Sequence, residues 1–302
     1  MKHDPVLLHK CVDALVTNPD GIYIDVTFGA GGHSREILNR LSAKGQLIGF
    51  DQDLEALGNT LDDSRFQLLH SNFRFIDRFL DYKGLKYVDG IFADLGMSSM
   101  QIDDEHRGFS FRFDGVLDMR MNDAGKTAAD ILNETSESEL TNIFSMYGEV
   151  RNAKTLARAI VTARSDKPFS LVIQLTSVLE RTWRGNQHRY YAQVFQALRI
   201  AVNREMEALQ ALMETSLDRI NTGGRLVVLT YHSLEDRMVK RFMKSGNMDG
   251  RQQKDDYGNI ERPFHVITKK PILPDEKEIQ VNPRARSAKL RIAEKNGEKI
   301  KK

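Results

Sequence analysis

Cysteine is nearly absent from the sequence: Cys11 is the only one. No disulfide can close within a chain that has one thiol, so a reducing compartment fits it best. No motif surrounds Cys11, which reads as a small buried apolar residue. Long apolar runs are missing as well. None approaches the roughly 20 residues a membrane helix needs. Met1-Lys2-His3-Asp4-Pro5 lacks the basic start and apolar core of a secretion signal. These absences point to a cytosolic protein with no membrane partner. Net charge is scarce too. With 44 basic and 42 acidic residues in 302, the balance is +2, which alone indicates no nucleic acid. Repeats and heptad runs are absent. The length suits one large domain, or one domain carrying a smaller one.

What is present begins with a strand signal. Ile22-Tyr23-Ile24-Asp25-Val26 follows the turn residues Asn18-Pro19-Asp20-Gly21 and reads as a buried parallel strand. Phe28-Gly29-Ala30-Gly31-Gly32 must turn tightly, and Ile37, Leu38 and Leu41 then mark a helix. Further strands are read at 45–51, 66–70 and 88–95. Strands alternating with helices predict an α/β fold with a doubly wound, Rossmann-like sheet. Helical and loop signals dominate from about Asp103 to Arg189, with helices read at 127–132, 136–147 and 153–164 and a helix start at Lys167-Pro168-Phe169-Ser170, Ser170 being its cap. One long amphipathic helix is expected over 194–220, ended by Gly223-Gly224, followed by an apolar strand at 225–231. The order is that of a small helical domain inserted into an α/β domain, with parts 1–104, 105–189 and 190–302. Residues 246–262 read as a loop. From Asn282 onward eight Lys/Arg face two acids, a basic tail that is a candidate RNA contact or merely solubilising.

The chemistry starts at the glycine turn. Glycines after a buried strand let the backbone turn sharply and approach a ligand. Asp51 lies nineteen residues after Gly32, at the end of the next strand. A carboxylate there accepts hydrogen bonds from both ribose hydroxyls of an adenosine. Dinucleotide enzymes share the glycine device. Two details favour S-adenosylmethionine: the G-x-G-x-x-G spacing that seats a pyrophosphate is missing, and Asp25 stands before the turn, where an acid can orient an ammonium group. Asp94-Leu95-Gly96-Met97-Ser98-Ser99 closes the fourth strand at the edge where open α/β sheets bind ligands. A plain strand–helix connection and a capped polar loop are the competing readings of these two turns.

These segments resemble a known family, the bacterial 16S ribosomal RNA cytosine-N4 methyltransferases (ribosomal RNA small subunit methyltransferase H). The resemblance runs through His3 to Leu8, Asp25 to Ser34, Asp94 to Ser99, Arg107-Gly108-Phe109-Ser110-Phe111, Leu117 to Met121, Tyr147-Gly148-Glu149, Phe195 to Asn203, Gly223 to Arg237 and Asn282 to Ser287, in the family's order. It implies S-adenosyl-L-methionine as cofactor, S-adenosyl-L-homocysteine as product, and cofactor contacts at Gly31, Gly32, His33, Asp51, Phe73, Asp94 and Gln101. It implies as target the N4 amine of a cytidine in the decoding region of 16S rRNA, the family's C1402, within the small ribosomal subunit. Two departures stand out. Met100 replaces the family's proline, and Arg189-Tyr190-Tyr191-Ala192-Gln193 replaces His-Pro-Ala-Thr-Arg.

Residues 151–204 hold ten Lys/Arg and two acids. Arg181, Arg184, Arg189 and Arg199 interleave there with Trp183, Tyr190 and Tyr191. Arginines for phosphate and aromatics for bases suit RNA; a solvated helical face over a packed core is the alternative. For methyl transfer, an acceptor must hold the exocyclic amine in line. Asp94 is the first candidate, with His232 and Ser233 second. His232 reads equally well as a structural histidine. No His/Cys/acid spacing resembles a metal-ligand set, so no metal is expected. A nucleotide-dependent oxidoreductase, a non-catalytic RNA-binding factor and a methyltransferase acting on protein or small molecules remain the other readings; oligomeric state, monomer or dimer, is left open.

Overall fold

A computed structural model describes residues 5–252, 254, 258 and 260–297. His3, Asp4, Lys299, Lys301, Lys302 and part of the 246–262 loop lie outside the described residues, as does the side chain of Ser99. The chain divides into two compact units: residues 1–96 with 207–302, and residues 97–206. The expected divisions at 104/105 and 189/190 both fall inside the second unit.

The first unit is built on seven strands: β1 (Ile22–Asp25), β2 (Gln46–Asp51), β3 (Phe66–His70), β4 (Val88–Asp94), β5 (Ile220–Thr230), β6 (Phe264–Val266) and β7 (Lys289–Lys295). Their order is 3-2-1-4-5-7-6. The first five run parallel, β7 is antiparallel to β5, and β6 is antiparallel to β7. In β2 and β4 four consecutive residues are buried, as parallel strands covered on both faces require. The order reverses between β1 and β4, so a crevice opens beyond the carboxyl ends of these strands. Asp25, Asp51 and Asp94 are the last residues of β1, β2 and β4.

The basic tail and the long helix both depart from expectation. Residues 289–295 belong to the expected basic tail, yet they are β7, hydrogen-bonded along β5 from Arg225↔Glu294 to Thr230↔Lys289. Arg291 is buried there because its Nε donates to Asp236 Oδ1 at 2.6 Å. This part of the tail is sheet, not a free arm. The single helix over 194–220 is two helices, Gln187–Asn203 and Glu205–Arg219, broken at Arg204, whose φ of 51° is left-handed. Gly223, with φ of 81°, lies within β5 and does not end a helix.

The second unit is helical. Helices Ala128–Glu134, Glu137–Met146, Ala153–Asp166, Val172–Thr182 and Gln187–Asn203 pack around Leu132, Phe144, Leu156, Leu175 and Leu198. Thr127 and Ser136 cap the first two with reciprocal side-chain bonds. Ser170 is not the cap of the fourth; that position is Leu171. Tyr190 and Tyr191 are 3% and 8% exposed and belong to this core, so they are not platforms for bases. This core runs past residue 189 because Val194, Phe195, Ala197 and Leu198 are part of it. Among the described residues no helix is long and apolar enough to cross a membrane.

Candidate functional site

The glycine turn is shaped from both sides. Gly29 and Gly31 have φ of 53° and 74°, a region that disfavours any Cβ. Gly32 is constrained by packing, since a Cβ there would sit 2.2 Å from Pro5 Cγ. The segment after Pro5 lies over the turn: the Val6 carbonyl accepts from His33 Nε2 at 3.0 Å. Glycine at 32 therefore answers to the chain's own N-terminal segment. Cys11, as expected, is buried.

Asp25 differs from expectation. It is wholly buried, its Oδ1 accepts from the Thr27 amide at 3.1 Å, and its Oδ2 accepts from Ser34 Oγ at 2.6 Å. Burial raises its pKa, and the Ser34 bond opposes the rise. Oδ1 braces the turn from within and Oδ2 ties it to the following helix, Gly32–Arg40, so the buried Asp25 shapes the turn.

Asp51 is partly exposed. Its Oδ2 accepts from the Gly29 amide at 2.7 Å and its Oδ1 from the Asp53 amide at 2.9 Å. The strand tip and the glycine turn are thus bonded to each other. Burial pushes the Asp51 pKa up, with these amides opposing. Phe73 opens a short 3-10 turn, Phe73–Phe75, just after β3, on the side of the sheet edge next to β2.

Asp94 sits at the tip of β4 with a quarter of its side chain exposed. Its amide donates to Thr27 Oγ1 at 2.6 Å. The Tyr231 hydroxyl, just beyond β5, donates to its Oδ1 at 2.6 Å. Oδ2 lies 3.7 Å from His33 Nδ1. Burial raises the Asp94 pKa to about 7, against the lowering effect of the Tyr231 bond. Burial lowers the His33 pKa, so the ring is neutral, and its bond to Val6 places the proton on Nε2. Burial beside Asp94 also raises the Tyr231 pKa well above the ordinary phenol value, so Tyr231 stays a donor. Tyr231 and Thr27 were missed as site residues. The signal for Tyr231 was its place at the end of the strand that neighbours the Asp94 strand.

His232 is a helix cap. Its Nδ1 accepts from the Glu235 amide at 3.3 Å at the start of helix Ser233–Ser245. Its Nε2 is within ion-pair distance of Glu235 Oε1, 3.0 Å, without hydrogen-bond geometry. With 8% of its side chain exposed, His232 fits the structural reading, as the cap of that helix. Ser233 is exposed on the first turn of that helix.

In the helical unit, Gln101 and Ser98 bond reciprocally, amide to Oγ at 3.2 Å and amide to Oε1 at 3.1 Å. They cap helix Ser99–Asp103, which contains Met100. Arg181, Arg184 and Arg189 are exposed, and Trp183 is 39% exposed. Arg199 departs from this group: it is buried, and its Nε and Nη2 donate to the two oxygens of Glu205 at 2.8 and 2.9 Å. A guanidinium held in this way is not offered to a phosphate.

Asp51 and Asp94 have raised pKa values, and among the described residues neither has a Lys or Arg partner. That is the chemistry a ribose diol and a cationic sulfonium or ammonium would complete. These acceptors fit S-adenosylmethionine, and strand order and strand-tip acids together define the class as an S-adenosylmethionine-dependent methyltransferase. The chain belongs to the MraW methylase family, whose sequence profile matches residues 1–296. It is 53% identical over 295 residues to a ribosomal RNA small subunit methyltransferase H from Bacteroides thetaiotaomicron, covering 97% of each chain. Its identity to the protein of that name from Cytophaga hutchinsonii is 53% over 299 residues, 98% of this chain and all of the other. Among solved structures it is similar to an rRNA methylase from Streptococcus thermophilus, with TM-score 0.40 and 14% identity over 95% of this chain and 92% of that one.

Proposed function

We propose that this protein methylates the N4 amine of a cytidine in 16S rRNA, in the decoding region, at the position numbered C1402. The cytoplasm and the small ribosomal subunit are its setting. The relatives named as small-subunit rRNA methyltransferases support the RNA substrate. The observation that carries the reaction type is Asp94, a carboxylate with a pKa of about 7 at the switch point of the sheet.

S-adenosylmethionine supplies an electrophilic methyl group and leaves as S-adenosylhomocysteine. Asp51 would hold the ribose hydroxyls, and the turn would offer the backbone amides of Gly32 and His33, while Gly31, whose amide donates to the Phe28 carbonyl at 2.8 Å, would let the backbone approach closely. The His33 ring is already committed to Val6, so His33 contributes through its backbone. The lone pair of an exocyclic amine is delocalised into its ring, so the amine must be held in line. Tyr231 occupies Asp94 Oδ1, leaving Oδ2 to accept a hydrogen bond from the amine. Positioning of this kind lowers a barrier by several kcal/mol, with an upper range of about 7–11. After the nitrogen–carbon bond forms, one amine proton leaves to Asp94, for which a carboxylate near neutral pKa suffices. The base must leave its stack to enter the site. Exposed Arg181, Trp183, Arg184 and Arg189 are the RNA contacts proposed on the helical unit.

Mass spectrometry of 16S rRNA nucleosides from cells lacking the protein tests the substrate. Loss of N4-methylcytidine is expected, and an unchanged amount refutes the assignment. Calorimetric titration tests the class: S-adenosylmethionine binds and NAD does not.

A further inference from the structure

A cleft of about 310 Å³ opens beside the carboxyl end of β3, away from the Asp51 and Asp94 carboxylates. Phe50, Phe75 and Phe79 are apolar parts of its wall, and His70, Arg78 and Tyr82 add polar groups. Phe50 precedes Asp51 in β2, and successive residues of a strand point to opposite faces. The cleft is therefore on the face of the sheet opposite the Asp51 carboxylate, at the same edge of the sheet. Its volume is at the lower end of small-ligand pockets.

The surroundings are basic and aromatic in a specific way. The Arg74 and Arg78 guanidinium carbons lie 4.5 and 5.3 Å from the centroid of the Phe75 ring. Both arginines are exposed, and among the described residues neither has a carboxylate partner. The acids of helix Ile76–Tyr82, Asp77 and Asp81, both pair with Arg219, whose Nε and Nη2 donate to them at 2.6 and 2.5 Å. That one guanidinium offsets one of the two acids, so Arg74, Arg78, Lys83 and Lys86 face a single uncompensated acid and the surface stays positive. Tyr82 is 85% exposed beside them. An acidic peptide would satisfy the arginines and leave the aromatic cleft empty. A strand of RNA satisfies both, because it brings phosphates and flat bases at once. Arginines already held against a ring lose less freedom when they bind phosphate.

We propose that this cleft takes an unpaired base of the RNA substrate, with the flanking phosphates on Arg74 and Arg78. The proposal rests on the RNA substrate proposed above and adds a second contact surface, on the sheet unit.

The test uses the full chain and two variants, Tyr82→Ala and the double charge reversal Arg74→Glu with Arg78→Glu, all at exposed positions. Calorimetry with S-adenosylmethionine first shows each variant to be folded, with parental affinity. Binding is then read with a fluorescent oligouridylate and, separately, with inorganic polyphosphate. Tyr82→Ala is expected to weaken oligouridylate roughly fivefold or more and to leave polyphosphate within about twofold of the parent. Charge reversal is expected to weaken both and to reduce the salt slope by about 0.7 for each phosphate that is no longer neutralised. The proposal is overturned if the parent does not bind oligouridylate, or if both variants bind it as the parent does. Equal loss of polyphosphate in Tyr82→Ala would also overturn it, since the cleft would then not hold a base. Phosphatidylglycerol vesicles are the third probe: a loss of binding confined to them, with oligouridylate unaffected, overturns the proposal and makes the surface a membrane contact. The N4 assignment is read independently, by nucleoside analysis. Unchanged N4-methylcytidine in cells lacking the protein, with weakened oligouridylate binding by the variants, removes that assignment and keeps this surface; lost N4-methylcytidine with parental oligouridylate binding by both variants does the opposite.

Discussion

Removing one hydroxyl, in Tyr231→Phe, is expected to move the pH dependence of methyl transfer upward. The Tyr231 hydroxyl donates to Asp94 Oδ1 at 2.6 Å, and it opposes the burial that raises the Asp94 pKa to about 7. A hydrogen bond to a charged group contributes about 1.5–3 kcal/mol, and one pKa unit corresponds to about 1.4 kcal/mol. Loss of the bond therefore raises the Asp94 pKa by about 1–2 units, to about 8–9. At pH 7 the ionised fraction falls from about one half to between roughly 1 and 10%, so kcat falls about 5- to 50-fold. Above about pH 9 the variant regains most of the parental rate. The assay is kcat against pH at saturating S-adenosylmethionine. The cofactor's positive charge lowers both midpoints, so the difference between parent and variant is the quantity to read. An unmoved midpoint, or one displaced downward, would show that the ionised Asp94 is not the acceptor held by Tyr231.

Other outcomes follow from the same geometry. Asp51→Asn is expected to weaken S-adenosylmethionine by about 100-fold while keeping the fold; calorimetric binding within threefold of the parent would remove Asp51 from the cofactor site. Asp94→Asn is expected to stabilise the cofactor-free protein at pH 8 and not near pH 4. The folded pKa of about 7 exceeds the unfolded value near 3.9, so the unfolded chain releases its proton first as pH rises, and stability falls between these values by at most about 4 kcal/mol. Equal thermal shifts at both pH values would contradict this. Arg199→Ala is expected to cost about 3–5 kcal/mol by removing one partner of the largely buried, two-bond pair with Glu205, seen as a lowered Tm, with unchanged RNA affinity of the folded protein. Gly32→Ala places a Cβ against Pro5 and is expected to cost about 1–3 kcal/mol in denaturant unfolding; a neutral result would mean the N-terminal segment yields freely.

The parallel strands were legible because burial on both faces leaves apolar runs, as in Leu47-Ile48-Gly49-Phe50 and Ile91-Phe92-Ala93. The acids at their ends were legible because polar residues close such runs only where the sheet meets its crevice. β7 was hidden by its charges. In Lys289-Leu290-Arg291-Ile292 the arginine is buried through Asp236, 55 residues earlier, a pairing that composition cannot show. Arg199 misled for the same reason. Its partner Glu205 is six residues on, out of reach along a continuous helix, and comes near where the helix breaks at Arg204. His232 and Tyr231 are adjacent in sequence, yet one caps a helix and the other bonds Asp94. That distinction depends on how the chain leaves β5, and no residue pattern records it.

The placement of β7 carries a consequence for the order of events in synthesis. Asp94 and Tyr231 are 137 residues apart in the chain, and the strand that leads to Tyr231, β5, pairs on its far side with residues 289–295. While the chain is being made, the 97–206 unit emerges before β5 exists, and β5 then has an open edge until β7 follows. Pairings so distant in sequence form slowly. The Tyr231 bond, which counters the burial that raises the Asp94 pKa, therefore joins two distant segments and has to wait for the second of them to be made.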